Sequence, residues 1–419
     1  MLIQRSELVG TRVIEIDRLV ERGARGPTGS PCHFVVDPQE VELVLHSPAF
    51  DRQRLGRAFV GDGLIFSDGD HWRTRRRILQ SSYPGRAPDL QLADVRRALP
   101  SLVSRIEATA RSGAPIDIVD EVSRFGLHVL YRTAFHQALP DDHDRVQLIL
   151  DYFDSVGGLI ASTIFPGLGL DSKVMAAVRA ADSAMTNEID RLIEVRRGIE
   201  DGDTPKDPLG RLVEALGDDH EGIRDEMRSL LLAGAETTSN VVGFLVLLLA
   251  DHPAVPERLF TVLDRAETED PPFLDAVVME TLRLYPPVWM LAREAREPTR
   301  IGEIAAEADD LVFIVTSLIQ RRPDHWADPD RFDPDRFLDD DGDIRRPAHR
   351  YAYFPFGGGR HLCLGRHLGL HEVREAARAL VERFRFTPES SERGAELGMV
   401  LKPDRATRVR ATPREGADR

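Results

Sequence analysis

The sequence is poor in several residue types that define whole classes of protein. Only two of its 419 residues are cysteines, Cys32 and Cys363, which excludes a fold held together by several disulfides. Lysine occurs only at Lys173, Lys206 and Lys402, and the formal net charge is -15. Because affinity for nucleic-acid phosphates depends on concentrated Lys and Arg, this acidic balance argues against a general nucleic-acid-binding protein.

An uninterrupted apolar run of membrane-spanning length is also missing. The most apolar segment, 230–250, contains Glu236-Thr-Thr-Ser-Asn240, whereas a membrane helix needs about 20 mostly apolar residues. We interpret it as the buried helix of a soluble protein. No charged and apolar leader precedes the folded-looking sequence, so we expect no membrane span and a cytoplasmic location.

The spacing of apolar residues predicts a mainly α protein with a small β-rich portion. Helices are expected at 70–80, 90–111, 120–135, 144–159, 172–197, 208–216, 222–250, 254–267, 271–284 and 364–384. Short strands are expected at 34–36, 288–293 and 311–314. Segment 321–346, rich in Asp, Pro and Arg, is predicted to be a long loop, which inside a compact domain is usually functional or specially braced.

The stretch FGGGRHLCLG, Phe356 to Gly365, gathers four glycines around Cys363. Cys363 comes immediately before a predicted helix, whose N-terminal N–H groups favour negative charge on the sulfur. The glycines let the main chain turn tightly and bring its N–H groups toward a ligand atom. The pattern predicts a loop that keeps one thiolate hydrogen-bonded.

Four interpretations of Cys363 compete. A lone cysteine most often behaves as a small buried apolar residue. A phosphate-binding loop is excluded, because neither the Gly-rich dinucleotide spacing nor a GK[ST] sequence is present. Zinc is possible, since Cys363, His367 and His371 recur every fourth residue on one helix face. The fourth interpretation is haem with an axial thiolate.

The pattern Phe356-x-x-Gly359-x-His361-x-Cys363-x-Gly365 resembles the haem-binding signature of the cytochrome P450 family. The resemblance extends from about residue 34 to about residue 402 and overrides the two or three domains that the length alone suggests. It implies a single cytochrome P450 domain over 1–419, with no fused reductase or ferredoxin domain and with the haem between two helices. The implied cofactor is non-covalent haem b with Cys363 as the iron ligand. The residues implied around it in this loop are Phe356, Gly357, His361 and Gly365.

Glu280 and Arg283, in ETLRLYPP, lie three residues apart on a predicted helix and can form an ion pair. A solvated surface pair is the commoner fate of such spacing. The resemblance implies that Arg336 joins them from the later loop, with Asp335 where Glu is frequent. A buried Glu280–Arg283–Arg336 cluster would brace the loop that leads to the cysteine.

Within the apolar helix, Ala233-Gly-Ala-Glu-Thr-Thr238 places an acid and an alcohol in a segment that otherwise reads as core. A capping or solvent-facing patch is one explanation. A buried carboxylate without a partner is costly, and a hydroxyl that bonds to the preceding turn bends a helix. The resemblance implies that this motif crosses the distal haem face, where Thr237 hydrogen-bonds dioxygen, Glu236 relays protons and Gly234 leaves room for O2.

Haem carries two propionates, which need cationic or hydrogen-bonding partners. Asp70-His-Trp-Arg-Thr-Arg-Arg-Arg77 resembles the family's WxxxR helix, here Trp72 and Arg76, and Arg293 occupies the strand arginine position after the YPP turn. With His361, these residues are expected to hold the propionates. Taken singly, each is equally compatible with a surface or packing role.

The resemblance implies hydroxylation or epoxidation of a hydrophobic small molecule with O2. Positions that match the family's substrate-contacting regions are largely apolar, which fits a terpenoid, polyketide, steroid-like or fatty substrate. They are 59–66, 152–165, Leu230, Ala233, 288–291 and 397–400. A terpenoid, polyketide or similar secondary metabolite is the expected substrate. The expected contacts are Leu230, Ala233, Val288, Met290, Leu291 and Met399. Any of them is also compatible with plain core packing.

Electrons are expected from a separate ferredoxin or flavodoxin-like donor with its NAD(P)H reductase. Five arginines are expected to form a positive patch on the cysteine side that suits an acidic donor, and scattered solvated arginines are the alternative. They are Arg73, Arg75, Arg77, Arg360 and Arg366.

A peroxide-using haem-thiolate enzyme and a non-catalytic haem-thiolate sensor are the alternative functions. Both would share Cys363 but would not need Glu236 and Thr237. The acid and alcohol therefore favour an oxygen-activating enzyme.

Overall fold

The computed structural model describes residues 31–52, 57–84, 89–139, 146–147, 149–153, 155–156, 172–199, 206–265, 270–389, 394–404 and 406–414. Within those ranges the side chains of 58, 59, 89, 90, 172–175 and 397 are not described. The predicted helix 144–159 and the expected substrate region 152–165 therefore lie partly outside the described residues.

The short helices Arg57–Val60 and Thr316–Ile319 were not expected, whereas eight other helices begin and end within two residues of their expected positions. Helices account for most of the described chain, as predicted. They are α1 (Pro38–His46), α2 (Arg57–Val60), α3 (Gly69–Gln80), α4 (Asp89–Ser112), α5 (Ile118–Phe135), α6 (Ser172–Arg197), α7 (Pro208–Leu216), α8 (His220–Gly234), α9 (Glu236–Asp251), α10 (Ala254–Arg265), α11 (Pro272–Leu284), α12 (Thr316–Ile319) and α13 (Arg366–Arg383). Further helical residues lie within 146–156.

The expected single helix 222–250 is instead two helices, α8 and α9, separated at Ala235. Thr237 Oγ1 donates to the Ala233 carbonyl at 2.7 Å, and Ser239 Oγ donates to the Ala235 carbonyl at 2.7 Å. Hydroxyls that bond back to the preceding turn bend a helix, so the acid-and-alcohol motif coincides with the break. By length and composition His220–Asp251 could cross a membrane, but 78% of its most apolar window is buried inside the fold.

The strands are short and form small sheets. They are β1 (Cys32–Val35), β2 (Phe50–Arg52), β3 (Ile116–Asp117), β4 (Leu291–Ala295), β5 (Thr299–Ile301), β6 (Ile304–Ala306), β7 (Leu311–Ile314), β8 (Phe384–Pro388), β9 (Ala395–Leu397), β10 (Leu401–Pro403) and β11 (Arg408–Pro413). The largest sheet has the order β1-β7-β4-β2, with β1 parallel to β7 and the other pairs antiparallel.

The expected strand 288–293 begins only at Leu291. The preceding residues bond to the segment before β10 instead: Trp289 Nε1 donates to the Gly398 carbonyl at 3.0 Å, and the Leu401 N–H donates to the Pro287 carbonyl at 2.8 Å. These bonds place the half-buried residues around 288 beside the turn that carries residue 399.

Two apolar cores surround the α8–α9 stretch. One is built from α4, α5, α9, α11 and α13, and the other from α3, α5, α6, α7 and α8. From Ser239 to Ala250 every residue of α9 is buried. A helix that is buried on all sides runs through the middle of the protein, and here it brings the Ala235 break to the interior.

Candidate cofactor site

Cys363 ends a loop that returns on itself before α13 begins. Its N–H donates to the Phe356 carbonyl at 3.0 Å. Gly357 and Gly359 have positive φ, 70° and 62°, and a Cβ on Gly359 would lie 2.1 Å from the Leu45 carbonyl oxygen. Only glycine fits this conformation and this distance, so the loop is seated directly on α1.

The Cys363 side chain is accessible, but the protein that surrounds it raises the pKa of the thiol. Several groups oppose this effect: the Gly365 N–H and the guanidinium groups of Arg76, Arg52 and Arg366 all favour the thiolate. A sulfur with a main-chain N–H and positive charge directed at it has the character of a metal ligand.

The zinc interpretation has no support. Among the described residues, no group of three or more His, Cys, Asp or Glu side chains could hold a metal ion. Arg366 Nε donates to His367 Nε2 at 3.0 Å, and His371 Nε2 lies 3.8 Å from a Glu375 carboxylate oxygen. The two histidines therefore have partners other than Cys363.

Guanidinium groups gather beside Cys363, with Arg293 buried and Arg52 and Arg76 half-buried. Arg52 on β2 lies directly opposite Arg293 on β4, and like charges opposite one another in a sheet repel. Burial lowers the pKa of Arg52 to about 10 and that of Arg293 to about 9. Asp68 partly offsets this charge; burial acts to raise its pKa, but the adjacent His361 ring and hydrogen bonds from the main-chain N–H groups of Gly69 and Arg52 hold it well below its usual range.

Trp72, Arg76 and His361 complete this cationic cluster. The Trp72 ring centroid lies 4.5 Å from that of His361, and the Arg76 guanidinium lies 6.0 Å from the Trp72 centroid. Burial lowers the pKa of His361 to about 4, although Asp68 Oδ2 lies 3.3 Å from its Nε2. Neither ring nitrogen of His361 makes a well-formed hydrogen bond to a described residue.

The donor set fits a haem. The cluster has more buried positive charge than Asp68 neutralises, and Arg52 Nε and both His361 nitrogens are buried without a hydrogen-bond partner among the described residues. Buried donors without acceptors are costly, and two propionates would supply both the acceptors and the missing negative charge. Cys363 lies close enough to Arg52 and Arg76 for their charges to favour its thiolate. One ligand can therefore contact the sulfur and the guanidinium groups at the same time.

Arg52 is the site residue that sequence reasoning missed. Phe50-Asp-Arg52 belongs to none of the motifs, and its role follows from the antiparallel register of β2 on β4. Only the partner strand reveals that its side chain lies beside that of Arg293.

The two residues of the acid-and-alcohol motif have different surroundings. Ala233 is exposed on an otherwise buried stretch, so the turn that carries it and Thr237 borders open space. Glu236 lines a cavity of about 150 Å³ between α5 and α9, together with Ser239 and Lys402. A Cβ on Gly234 would lie 2.7 Å from Leu130 Cδ1. This glycine therefore permits close packing against α5, and the expected room for O2 at Gly234 stays a prediction.

The expected substrate contacts do not form one cluster. Leu230 and Met399 pack in the same core as Leu364, the residue after the cysteine. Met290 packs against the core around α9 and α13, and Leu291 against the four-stranded sheet. These apolar groups approach the Cys363 loop from different sides.

Glu280 and Arg283 are fully buried on α11, and Arg336 reaches them from the long loop. Glu280 accepts from Arg283 Nε at 2.6 Å and from Arg283 Nη2, Arg336 Nε and the Asp333 N–H at 2.9 Å each. The remaining donors of Arg283 bind carbonyls of the loop, those of Gln320, Pro329 and Arg331. The cluster therefore joins α11 to both ends of segment 320–336.

The expected positive patch is smaller than predicted. Arg75 is buried, with its Nη2 3.0 Å from Asp219 Oδ2 and its Nε 3.7 Å from a Glu226 oxygen. Its inclusion in the patch was wrong, because it lies on the inner face of α3. Arg73 is exposed but paired with Asp70.

Comparisons with known proteins agree with this site. The family model described as Cytochrome P450 matches residues 27–409. The chain is 29% identical over 389 residues to cyclooctat-9-en-7-ol 5-monooxygenase of Streptomyces melanosporofaciens, covering 86% of this chain and 81% of that protein. It is 27% identical over 420 residues to pentalenene oxygenase of Streptomyces avermitilis, covering 93% and 89%. The crystal structure of the cytochrome P450DA heme domain superposes with a TM-score of 0.82 at 24% identity, covering 98% of this chain and 94% of that one.

Proposed function

The chain belongs to the cytochrome P450 family, and on that basis we propose that it oxygenates a terpenoid or related hydrophobic secondary metabolite at a haem ligated by Cys363. It is a haem-binding monooxygenase, an oxidoreductase that uses O2 and a redox partner. The observation that carries the ligand assignment is the Cys363 sulfur beside buried guanidinium groups that have more donors than acceptors.

The cofactor is proposed to be haem b, held without a covalent bond. Arg52, Arg76, Arg293 and His361 would donate to its propionates, and the Cys363 loop would shape the sulfur side. When bound, the haem supplies the chemistry by which one atom of O2 enters the substrate and the other leaves as water.

On the opposite side, this chain's own groups would handle protons. The Thr237 hydroxyl, held by the Ala233 carbonyl, stands on the turn that borders open space. The Glu236 carboxylate lines a polar cavity that is large enough for water. We propose that Glu236 takes protons from that cavity and that the Thr237 hydroxyl orients the oxygen that receives them.

The terpenoid proposal has two supports. Relatives from Streptomyces are named as oxygenases of cyclooctat-9-en-7-ol and pentalenene. In addition, the residues proposed to touch the substrate are apolar and come from α8, from 288–291 at the start of β4 and from the turn before β10, and a mostly apolar lining suits a compact hydrocarbon skeleton.

The donor is proposed to be a ferredoxin or flavodoxin-like protein with its own NAD(P)H reductase. Arg77 is exposed, and Arg366 lies at the start of α13, three residues after Cys363. R77E and R366E should slow reduction at low salt, and the difference should shrink at high salt. R111E, which reverses an exposed arginine on α4, is the control. Equal, salt-independent rates in all variants would remove the patch proposal.

The decisive measurement is the absorption spectrum of the reduced, CO-treated protein. A red-shifted Soret band typical of thiolate ligation is expected for the wild type and not for C363S, and a wild type without this band would refute the assignment of Cys363. A spin-state titration with terpenoids, polyketides and fatty acids should then give the largest response to a terpenoid. Full turnover with hydrogen peroxide alone would instead identify a peroxide-using enzyme.

The cytoplasmic location of the protein stays a prediction.

A further inference from the structure

The segment between α2 and α3, residues 61–66, has no regular secondary structure but lies directly against α8. A Cβ on Gly61, whose φ is 78°, would lie 1.9 Å from Asp225 Oδ1, and one on Gly63 would lie 2.3 Å from Ser229 Oγ. Only glycine permits this distance between loop and helix. We call this segment the 61–66 loop.

Two adjacent acids on α8 accept the main-chain hydrogen bonds of this loop. Asp225 Oδ2 accepts from the Asp62 N–H at 2.8 Å, and Glu226 Oε2 accepts from the Leu64 N–H at 3.1 Å. Irregular main chain inside a fold needs partners for its polar groups, and here carboxylates supply them.

Two arginines bind the carbonyls of the same loop from the other side. Arg52 Nη1 donates to the Ile65 carbonyl, and Arg57 Nε donates to the Phe66 carbonyl at 2.8 Å. Arg52 also belongs to the cationic cluster beside Cys363. The loop is therefore held between α8 and the candidate cofactor site.

The loop also contributes apolar side chains to the side of the site that faces α8. Leu64 and Ile65 pack in the core that contains Leu230, Leu364 and Met399. Glu226 lies one helical turn before Leu230, on the face that leads along α8 toward the open turn at Ala233. A change in the loop's position would therefore alter the apolar space beside Cys363.

Glu226 is fully buried, and its Oε1 has no hydrogen bond to a described residue. Burial raises its pKa to about 7, opposed by the Leu64 N–H and by Arg75. Burial also raises the pKa of Asp225. The charged and titratable groups that face these two acids or their loop partners are Arg57, Asp62, His71, Arg75, Tyr152, Glu221 and Arg228.

We propose that Asp225 and Glu226 are positioning residues that hold the 61–66 loop closed against α8, and that release of this loop opens the apolar side of the Cys363 site. Only the nature of the molecule that enters rests on the proposed function. The closed loop itself is a property of these contacts.

The pH dependence of opening follows from the two states of Glu226. When the loop is closed, the Glu226 carboxyl is shielded from water and has a pKa of about 7. When the loop is open, the carboxyl is solvated and its pKa takes the ordinary value of 4.5. The closed state therefore binds the proton more tightly, and opening is favoured as the pH rises. Between pH 6 and pH 8 the opening equilibrium should increase roughly tenfold.

The test is hydrogen–deuterium exchange of the peptide that covers 61–66 in the purified full-length protein, corrected for intrinsic exchange. Wild type should open about tenfold more at pH 8 than at pH 6. E226Q keeps an acceptor for the Leu64 N–H but cannot titrate, so its profile should be flat and more protected than wild type at pH 8. E226L removes the acceptor, so its loop should exchange about tenfold faster at pH 6. E107Q, which removes a surface acid paired with Arg111 on α4, should follow wild type.

Two results would overturn the proposal. Equal exchange in wild type and E226L would mean that the acids do not hold the loop, and a wild-type pH profile in E226Q would assign the titration to another group. Exchange of the α9 peptide reports whether a variant is folded. If E226L does not fold, D225N replaces it, because this change weakens the acceptor of the Asp62 N–H. Exchange of the 61–66 peptide in D225N is then compared with that in wild type. None of these measurements uses turnover, so they are independent of the CO spectrum that tests the proposed function.

Discussion

Replacing Glu280 with Gln tests whether the buried cluster on α11 braces the loop that leads to Cys363. Glu280 accepts four hydrogen bonds, from Arg283, Arg336 and the Asp333 N–H. Glutamine has nearly the same shape but only one acceptor oxygen and no charge. Its NH2 group would face guanidinium donors that already need acceptors.

The expected loss of unfolding free energy in E280Q follows from the burial of the Glu280–Arg283 pair. Both Glu280 and Arg283 have fully buried side chains, so E280Q leaves a guanidinium charge in the interior without its carboxylate. Removing one partner of a buried ion pair costs about 3–5 kcal/mol. Since the remaining donors of Arg283 bind loop carbonyls, we expect the loss of this stabilisation to loosen the loop that leads to Cys363 and to weaken haem retention.

The assay is urea unfolding followed by circular dichroism and by Soret absorbance. With a slope of roughly 3 kcal/mol/M or more for a chain of this size, the midpoint should fall by about 1 M. D335N is the matched control, because Asp335 lies on the same loop but pairs with Arg258 at the surface, where a pair contributes about 1 kcal/mol or less. If E280Q unfolds within about 1 kcal/mol of wild type, the desolvation of this cluster cancels its attraction and it is not a brace.

Three further predictions concern the cofactor site, the distal turn and the chain's acid stability. R52A and R293A should each lower haem retention on gel filtration. R293A should leave the haem-free protein equally or more stable, since it removes a cross-strand repulsion, and a loss of stability in haem-free R293A would contradict this. T237V should lower product formed per NADPH by about tenfold or more while T237S retains most of it, and equal yields in both would remove the hydroxyl from the mechanism. Hydrogen bonds from Arg414 and a neighbouring arginine lower the pKa of Glu257 to about 2. Its contribution to the free energy of unfolding is therefore present above pH 4.5 and is lost as the pH falls toward 2. In urea unfolding, wild type and E257Q should differ by about 1 kcal/mol or less, and this difference should close below pH 4.5.

Much of this architecture is local and could be predicted from the sequence. Helix bounds such as those of α6 and α7 follow from apolar periodicity and from capping groups near the ends, as where Asp207 caps α7. The conformation of the cysteine loop is also set by nearby residues. Gly357 and Gly359 have positive φ, and the glycines that permit this lie within the same ten-residue segment. Family membership and the mainly α fold, both expected from these patterns, are confirmed.

Arg75 shows where sequence reasoning stops. Four arginines occur within five residues of α3, and composition alone makes them equivalent. Arg75 is buried against Asp219 and Glu226, Arg76 lies over Trp72, and Arg73 is exposed. Which face of a helix is inside depends on what packs against it, and that partner is α8, more than 140 residues later in the chain.

The sequence by itself determined the helical pattern, the unusual backbone around Cys363 and the acid-and-alcohol segment, because each depends on residues within a few positions of one another. Tertiary structure alone decided that Arg52 faces Arg293, that Gly234 packs against Leu130, and that Asp225 and Glu226 hold the 61–66 loop. Those arrangements depend on strand register and helix packing between distant segments. The burial that results sets the pKa and the free donors of these polar groups, and for polar side chains such burial does not follow from the local sequence pattern.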